Sequence, residues 1–408
     1  MSVTAADAAS CALHDTGTCR SCPHLSLPMP DQLAAKQSRV ATLLAEHVPA
    51  ELWQAPAASA PTGFRNKAKM AVAGTAAHPT LGILDGAGCG VDLRTCPLHV
   101  PAIEAALPVL ADLVTELGLR PYDVPSRRGE LKYVLVTASP DDDLMVRFVL
   151  RSRRYLERLR AAVPDLRRRL PQLAVAAVNI QSVHQAVIEG PEEIVLTEED
   201  RLLMRLSLPS PDGGGQAGRR AGSVELPLYL PTRSFFQTNT AVAEALYATA
   251  RDWAEQAEPA RVWDLFCGVG GFALALAAPG RQVLGVEVSA PAIDGARAAA
   301  DLMGLDPALV RFEAGDARVL DPAAGERAGG VQRPDLLVVN PPRRGIGEQL
   351  ATRIEASGVE RVLYSSCNPR TLAADLAHLP SMRVVRSRLF DMFPHTEHAE
   401  VLVELVRD

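Results

Sequence analysis

No apolar run in the 408-residue chain reaches the roughly 18 residues of a membrane helix, which excludes a helical membrane protein. The amino terminus (MSVTAADAAS) has neither a basic n-region nor an apolar core, so no secretory signal is expected and the protein reads as cytoplasmic. Lysine is nearly missing: Lys36, Lys67, Lys69 and Lys132 are the only four, and arginine carries the remaining positive charge. A strong charge of either sign is missing too, since 42 Lys+Arg face 48 Asp+Glu for a net −6, which argues against a partner held by bulk positive charge. No internal repeat is present, and seven cysteines in a reducing compartment do not make a disulfide framework.

What is there can bury sizeable cores: 48% of the residues are hydrophobic, and 408 residues at ~150 per domain suggest two or three domains. Charge is unevenly placed. Residues 1–230 hold 24 basic and 25 acidic side chains, whereas 231–408 hold 18 and 23. Within the first part, 147–169 carries nine arginines against Glu157 and Asp165, and a second basic knot runs Arg65-Asn66-Lys67-Ala68-Lys69. Both segments are expected to be local anion sites.

Residues 1–10 read as a tail and 11–226 as a mixed α+β domain, with strands expected at 131–137, 144–150 and 174–189. The Pro/Gly-rich stretch 207–223 reads as a loop or insertion, and so does 321–333. From 227 to 408 the pattern is α/β. A helix at 241–257 leads into strands at 261–266, 281–288, 309–313, 335–340 and 360–366 with helices between them, the signature of a doubly wound parallel sheet. Strands 383–390 and 399–406, joined by a short connection, are expected to pair as an antiparallel hairpin at its edge. Five parallel strands with a terminal hairpin is the arrangement of class I, Rossmann-like methyltransferases that use S-adenosylmethionine (SAM).

Asp264-Leu265-Phe266-Cys267-Gly268-Val269-Gly270-Gly271 stands where the first of these strands turns into a helix. Glycines there let backbone approach a ligand, and a helix N-terminus offers free N–H groups. Glu287 ends the next strand, where a carboxylate can accept ribose hydroxyls, and Asp316 follows the third, within reach of an adenine edge. The turn lacks the dinucleotide G-x-G-x-x-G spacing, which favours SAM over NAD. Asn340-Pro341-Pro342-Arg343 and Ser365-Ser366-Cys367-Asn368 follow the fourth and fifth strands, so Asn340 and Cys367 are directed at the cofactor crevice. A cysteine at that edge is a candidate nucleophile, and Glu400, opening the last strand, a candidate base. An amino-group methyltransferase would also carry an Asn-Pro-Pro motif, but it would place an aromatic residue where Arg343 stands.

Cys11, Cys19 and Cys22 form C-x7-C-x2-C, with Cys96 as fourth partner and Cys89 as its competitor. Four soft thiolates suit zinc or an iron–sulfur cluster, and spacing alone does not decide between them.

Taken together, CALHDTGTCRSC, GFRNKAKM, RGELKYVLVT, SFFQTN, WDLFCGVGGF, NPPRRGIG, YSSCN and LFDMFPHTEHAEVL resemble the RNA uracil-5-methyltransferases, most closely the type acting on 23S ribosomal RNA. The resemblance runs from Cys11 to the carboxyl terminus. It implies a [4Fe–4S] cluster on Cys11, Cys19, Cys22 and Cys96, and SAM contacts from Gln237, Phe266, Glu287 and Asn340. It also implies Cys367 as nucleophile, Glu400 as proton acceptor and 23S rRNA as partner, with no obligate protein partner. The same chemistry on tRNA or another rRNA uracil, and a non-catalytic iron–sulfur RNA-binding factor, are the alternatives. Three features depart from the wider family: Asn340 stands where many relatives have Asp, no RNA-binding β-barrel is expected before Cys11, and 207–223 and 321–333 look like insertions. The arginines of 147–169 and the 65–69 knot are expected to grip RNA around a flipped or single-stranded uracil.

Overall fold

The structure is a computed structural model that describes residues 9–185, 187–209, 223–318 and 333–408. Most of the insertions expected at 207–223 and 321–333, and most of the tail, lie outside those residues.

Two seven-stranded sheets organise the chain. The first contains β1 (Lys67–Gly74), β2 (Pro79–Leu84), β3 (Gly90–Asp92), β4 (Leu131–Ala138), β5 (Leu144–Leu150), β6 (Leu173–Ile180) and β7 (Glu192–Val195), in the order β3-β2-β1-β4-β5-β6-β7. Only β5 and β6 are parallel, because a helix intervenes between them. Two short segments precede this sheet: α1 (Ala12–Asp15) and α2 (Met29–Leu43). Helix α3 (Pro101–Glu116) buries Ile103, Ala106, Leu107, Leu110 and Val114, and α4 (Leu156–Arg169) buries Leu156, Leu159, Val163 and Leu166. Both stripes recur every three or four residues, as a helix facing one sheet requires.

The strand expected over 174–189 ends at Ile180. The Asn179 amide donates to the carbonyls of Gly190 (3.1 Å) and Glu192 (3.0 Å) and accepts the Gly190 N–H, folding the chain back so that β7 pairs with β6. Gly190 sits so close to the Ile180 carbonyl that a Cβ would lie 1.8 Å from its oxygen, so the return requires glycine.

A two-stranded ribbon, β8 (Arg201–Leu208) with β9 (Val224–Pro231), crosses the expected boundary at residue 226. Its inward leucines join a core with α5 (Thr240–Ala257) and α7 (Ala290–Leu302). The segment 29–57, assigned by sequence to the first domain, packs on the second sheet: Val40, Leu44 and Val48 lie in its core, and Trp53 and Ala57 bridge to Ser387 and Phe390.

The second sheet contains β10 (Arg261–Leu265), β11 (Gln282–Glu287), β12 (Val310–Ala314), β13 (Leu336–Val339), β14 (Arg361–Ser366), β15 (Met382–Phe390) and β16 (Glu400–Arg407). Its order is β12-β11-β10-β13-β14-β16-β15; the first five are parallel, and β16 is antiparallel to both β14 and β15. Each expected strand is present, with ends shifted by about one residue. Helices α6 (Gly271–Ala275), α8 (Gly347–Ser357) and α9 (Pro369–Leu376) complete the connections. The chain leaves β10 toward β11 on one side and resumes at β13 on the other, so the crevice at the strands' carboxyl ends is a topological switch point. Among the described residues no helix is long and apolar enough to cross a membrane.

Candidate active site

Register places the site. Leu265 pairs with Val286 and Val339, and Val339 with Tyr364, so Phe266, Glu287, Asn340 and Cys367 all leave the sheet at one edge. Because β16 runs antiparallel to β14, with Ser366 opposite Val401, its first residue returns to that edge. Glu400 therefore comes beside Cys367, although 33 positions separate them in the sequence.

Beyond β10 the backbone turns tightly. Phe266 has φ +68° and Gly270 φ +87°, the latter capping α6 in the left-handed region that glycine adopts without strain. Asp264 is fully buried beneath the turn; one carboxylate oxygen accepts the Ala273 N–H (2.9 Å), and the other has no hydrogen-bond partner. Burial pushes its pKa up to about 8, with the Glu287 charge adding to the effect against the Ala273 hydrogen bond.

A cavity of about 620 Å³ opens over this edge, within the range of small-molecule sites. Gln237, Phe266, Glu287, Asn340, Cys367 and Glu400 all line it. Gln237 arrives from the loop after β9, which the first sheet holds: Asn66 donates its side-chain amide to the Gln237 carbonyl (3.0 Å) and its backbone N–H to Thr238 O (3.0 Å). Asp316 also lines the cavity, with its carboxylate engaged by Arg318 at 2.6 Å.

Glu400 is 2% exposed and accepts the Ser365 hydroxyl at 2.5 Å. Burial raises its carboxyl to about 7, against the lowering effect of that hydrogen bond. Burial also raises the Cys367 thiol, and the Glu400 charge adds to this; the Arg343 guanidinium opposes both by charge and hydrogen bonding. Arg343 further lies 3.3 Å from the His398 ring. Ser365 and Arg343 were quoted in sequence motifs without a role. The signal for each was its place beside a strand-end candidate, since residues flanking a nucleophile tune its charge.

The four cysteines meet elsewhere. Cys11, Cys19, Cys22 and Cys96 line one cavity of about 220 Å³ at the edge of the first sheet, with Arg65 and His99. Burial, helped by charge on Cys96, Cys19 and Cys11 and opposed by Arg65, pushes the Cys22 thiol up to about 11. Cys89 is exposed on the β2–β3 turn and does not line this cavity. Among the described residues no group of three or more His, Cys, Asp or Glu is arranged to hold a single metal ion.

Much of the basic run is held in ion pairs, one buried and the others at the surface. Arg147 is 2% exposed and paired with Glu193 (2.7 Å) and Glu189 (3.0 Å). Arg151 pairs with Glu130, Arg153 with Glu192, Arg160 with Glu157, Arg167 with Glu199, Arg168 with Asp165 and Arg169 with Glu116. Arg154 and Arg158 flank the Tyr155 ring. Seven of the nine arginines thus have carboxylate partners, but only Arg147 is buried; Arg153 and Arg168, like most of the others, keep their guanidinium groups at the surface.

Residues 227–408 match the profile of the family described as tRNA (Uracil-5-)-methyltransferase. The chain is 48% identical to the 23S rRNA (uracil(747)-C(5))-methyltransferase RlmC of Halothiobacillus neapolitanus, over 97% of this chain and 99% of that protein. It is 45% identical to the protein of the same description from Escherichia coli, again over 97% and 99%. Among solved structures, the Pyrococcus abyssi tRNA (uracil-54, C5)-methyltransferase in complex with S-adenosyl-L-homocysteine shares its fold. That match has a TM-score of 0.74 at 24% identity, covering 94% of this chain and 85% of that one.

Proposed function

The chain belongs to the RNA uracil-5-methyltransferase family, and on that premise we propose that it methylates C5 of a uracil in 23S ribosomal RNA, using SAM. The observation that carries the mechanism is the single cavity lined by Cys367, Glu400, Gln237, Phe266, Glu287 and Asn340. Uracil C5 is a weak nucleophile. The Cys367 thiolate, favoured by Arg343, adds to C6, and the ring becomes an enolate with electron density on C5. C5 attacks the SAM methyl, and the departing sulfur keeps the bonding pair as neutral S-adenosylhomocysteine. Glu400 then takes the C5 proton; the C–H electrons form the C5–C6 double bond, and the C6–S bond breaks to return the thiolate. A carboxyl near 7 suits that last step, since a base is most effective when its pKa lies near the working pH.

SAM fits the residues at the switch point: Glu287 for ribose hydroxyls, Phe266 and Gln237 against the nucleoside and methionine parts, and Asn340 as an uncharged hydrogen-bonding group beside the reacting methyl. The first sheet holds the Gln237 loop through Asn66, which joins residues 11–226 to the methyltransferase part, 227–408. The proposed target is 23S rRNA because relatives so described align along almost the whole chain. A ribosomal substrate also accords with a cytoplasmic location.

Cys11, Cys19, Cys22 and Cys96 are proposed to hold a [4Fe–4S] cluster. The family resemblance supports this, as do four thiols, a donor set suited to iron–sulfur clusters, lining one cavity. When bound, the cluster supplies a covalent cross-link between the amino-terminal loop and the Cys96 turn.

Incubation with 5-fluorouracil-substituted rRNA and SAM tests the chemistry. Fluorine cannot leave as a proton does, so a denaturation-resistant adduct is expected with the wild type and none with Cys367→Ala. No wild-type adduct, or an undiminished one with Cys367→Ala, overturns the mechanism. Mass mapping of RNA from a deletion strain tests the target, and loss of the methyl from tRNA alone overturns it. Visible absorption with stoichiometric iron and sulfide tests the cluster; a colourless, anaerobically purified zinc protein rejects it.

A further inference from the structure

Helix α2 buries an unusually polar stripe, Gln32, Lys36 and Val40. Apart from a Gln32 amide N–H that donates to Leu27 O (2.8 Å), its polar members address the loop 391–399 between β15 and β16. The Gln32 amide oxygen accepts the His395 backbone N–H (2.9 Å), and its nitrogen lies 3.2 Å from His395 Nδ1. Lys36 donates to the Asp391 carboxylate (2.5 Å) and to Phe393 O (3.0 Å), with both charged side chains nearly inaccessible. Arg39 pairs with the Glu397 carboxylate at 2.9 Å. Positions 32, 36 and 39 share one helical face.

His395 is fully buried, with φ +63°. Its Nε2–H donates to Pro61 O (2.7 Å), so Nδ1 is the acceptor facing Gln32 and one neutral tautomer satisfies both contacts. The cysteine loop grips the same residue: His24, two positions after Cys22, donates its backbone N–H to His395 O (3.1 Å), and its ring lies 2.9 Å from Glu397. Phe393 of this loop lines the catalytic cavity, and Glu400 ends it. None of these hydrogen bonds goes to β10, β11, β13 or β14.

A loop that needed only burial would be held at less cost by apolar side chains, because a buried ion pair and a left-handed non-glycine backbone both oppose stability. What such contacts supply is one fixed geometry. We propose that Gln32 and His395 are positioning residues that set Glu400 for removal of the C5 proton, and that through His24 the four-cysteine loop is coupled to that step. This rests on the uracil chemistry proposed above.

The two steps are separable because the C6–S bond cannot break until the C5 proton leaves. With ordinary uracil-containing rRNA, Gln32→Leu is expected to bind SAM within about twofold of wild type. It should load methyl from labelled SAM into a denaturation-resistant complex at near the wild-type rate, and release product at least about tenfold more slowly. Methyl transfer and release falling together, or release unchanged, overturns the proposal. Should Gln32→Leu fail to bind SAM, the partly exposed Arg39→Gln gives the same reading with a smaller slowing of release.

Amide hydrogen exchange on the full chain without RNA reads the brace itself. Gln32→Leu and, separately, Cys22→Ser are each expected to speed exchange over 391–400 by about tenfold or more, with β10 and β13 unchanged. Unchanged exchange over 391–400, or a rise extending to β10 and β13, overturns the brace. A wild type that forms no 5-fluorouracil adduct overturns the uracil chemistry instead, and exchange then decides the brace alone.

Discussion

Ser365→Ala isolates the tuning of the proposed base. The Ser365 hydroxyl donates to Glu400 at 2.5 Å and lowers a carboxyl that burial holds at about 7. The hydroxyl's hydrogen bond to the ionised form is stronger than any it makes with the neutral acid, so its loss disfavours the carboxylate and moves the pKa upward. A hydrogen bond to a charged group contributes ~1.5–3 kcal/mol, which corresponds to ~1–2 pK units. The variant's Glu400 should therefore titrate at roughly 8 to 9, and its ionised fraction at pH 7 should fall from about half to roughly 1–10%. Release of methylated RNA from the covalent complex, followed by rapid quench, should slow by ~5- to 50-fold at pH 7 and approach the wild-type rate above about pH 9.5. Methyl transfer should not slow, because a less charged Glu400 relieves the rise that its charge imposes on the Cys367 thiol. A release profile that keeps the wild-type midpoint, or moves to acid, refutes the assignment of Glu400 as base.

Glu400→Gln should raise the thermal midpoint at pH 8 while arresting release. The folded carboxyl titrates near 7 against 4.5 for the free group, so wild-type stability falls as pH rises through that interval, and the variant's advantage should vanish near pH 4.5. Arg147→Met leaves Glu189 and Glu193 without their buried partner and should destabilise the protein by ~3–5 kcal/mol in denaturant unfolding, whereas exposed Arg168→Gln should cost under ~0.5 kcal/mol. Equal effects would contradict the distinction drawn here between buried and exposed arginines. Titration of SAM in buffers of different ionisation enthalpy should show proton release at pH 7.5, because a sulfonium in the cavity favours the charged forms of the raised carboxyls Asp264 and Glu400. Neutral S-adenosylhomocysteine should release fewer protons, and equal release by the two ligands would reject this account.

The second sheet was readable from sequence because its information is local: β-branched runs alternate with helical periods, and each strand ends on a residue that breaks the run. Cys367 and Glu400 were readable for the same reason, once the last two strands are taken as an antiparallel hairpin. The fate of the arginines was not. A charge count over 147–169 cannot see Glu193, Glu189, Glu130 or Glu116, which reach Arg147, Arg151 and Arg169 from 21 to 53 positions away. The brace on His395 is less visible still, since Gln32 and His395 lie 363 positions apart and each alone reads as an ordinary polar residue. Gln237 had only family resemblance behind it. Its place depends on Asn66, a contact made 171 positions away between the two sheets.

Formal charge misdescribes both halves of the molecule for one physical reason, that burial and pairing change what a side chain presents. The run on and before α4 counts as strongly positive, yet Arg147 is buried and most of the others are tied by surface pairs to partners from α3, β7 and the loops. The catalytic half counts as acidic, yet desolvation lifts Asp264 to about 8 and Glu400 to about 7, so near neutrality both are partly protonated. On the cavity wall Arg343 and Arg344 are cationic, and Arg343 favours the Cys367 thiolate. Asp316 on the same wall is the opposite case, since Arg318 holds its carboxyl down to about 2, so the charge of the site is set group by group and not by the count. Under the proposed chemistry, a Glu400 carboxyl near 7 is poised to take up the C5 proton.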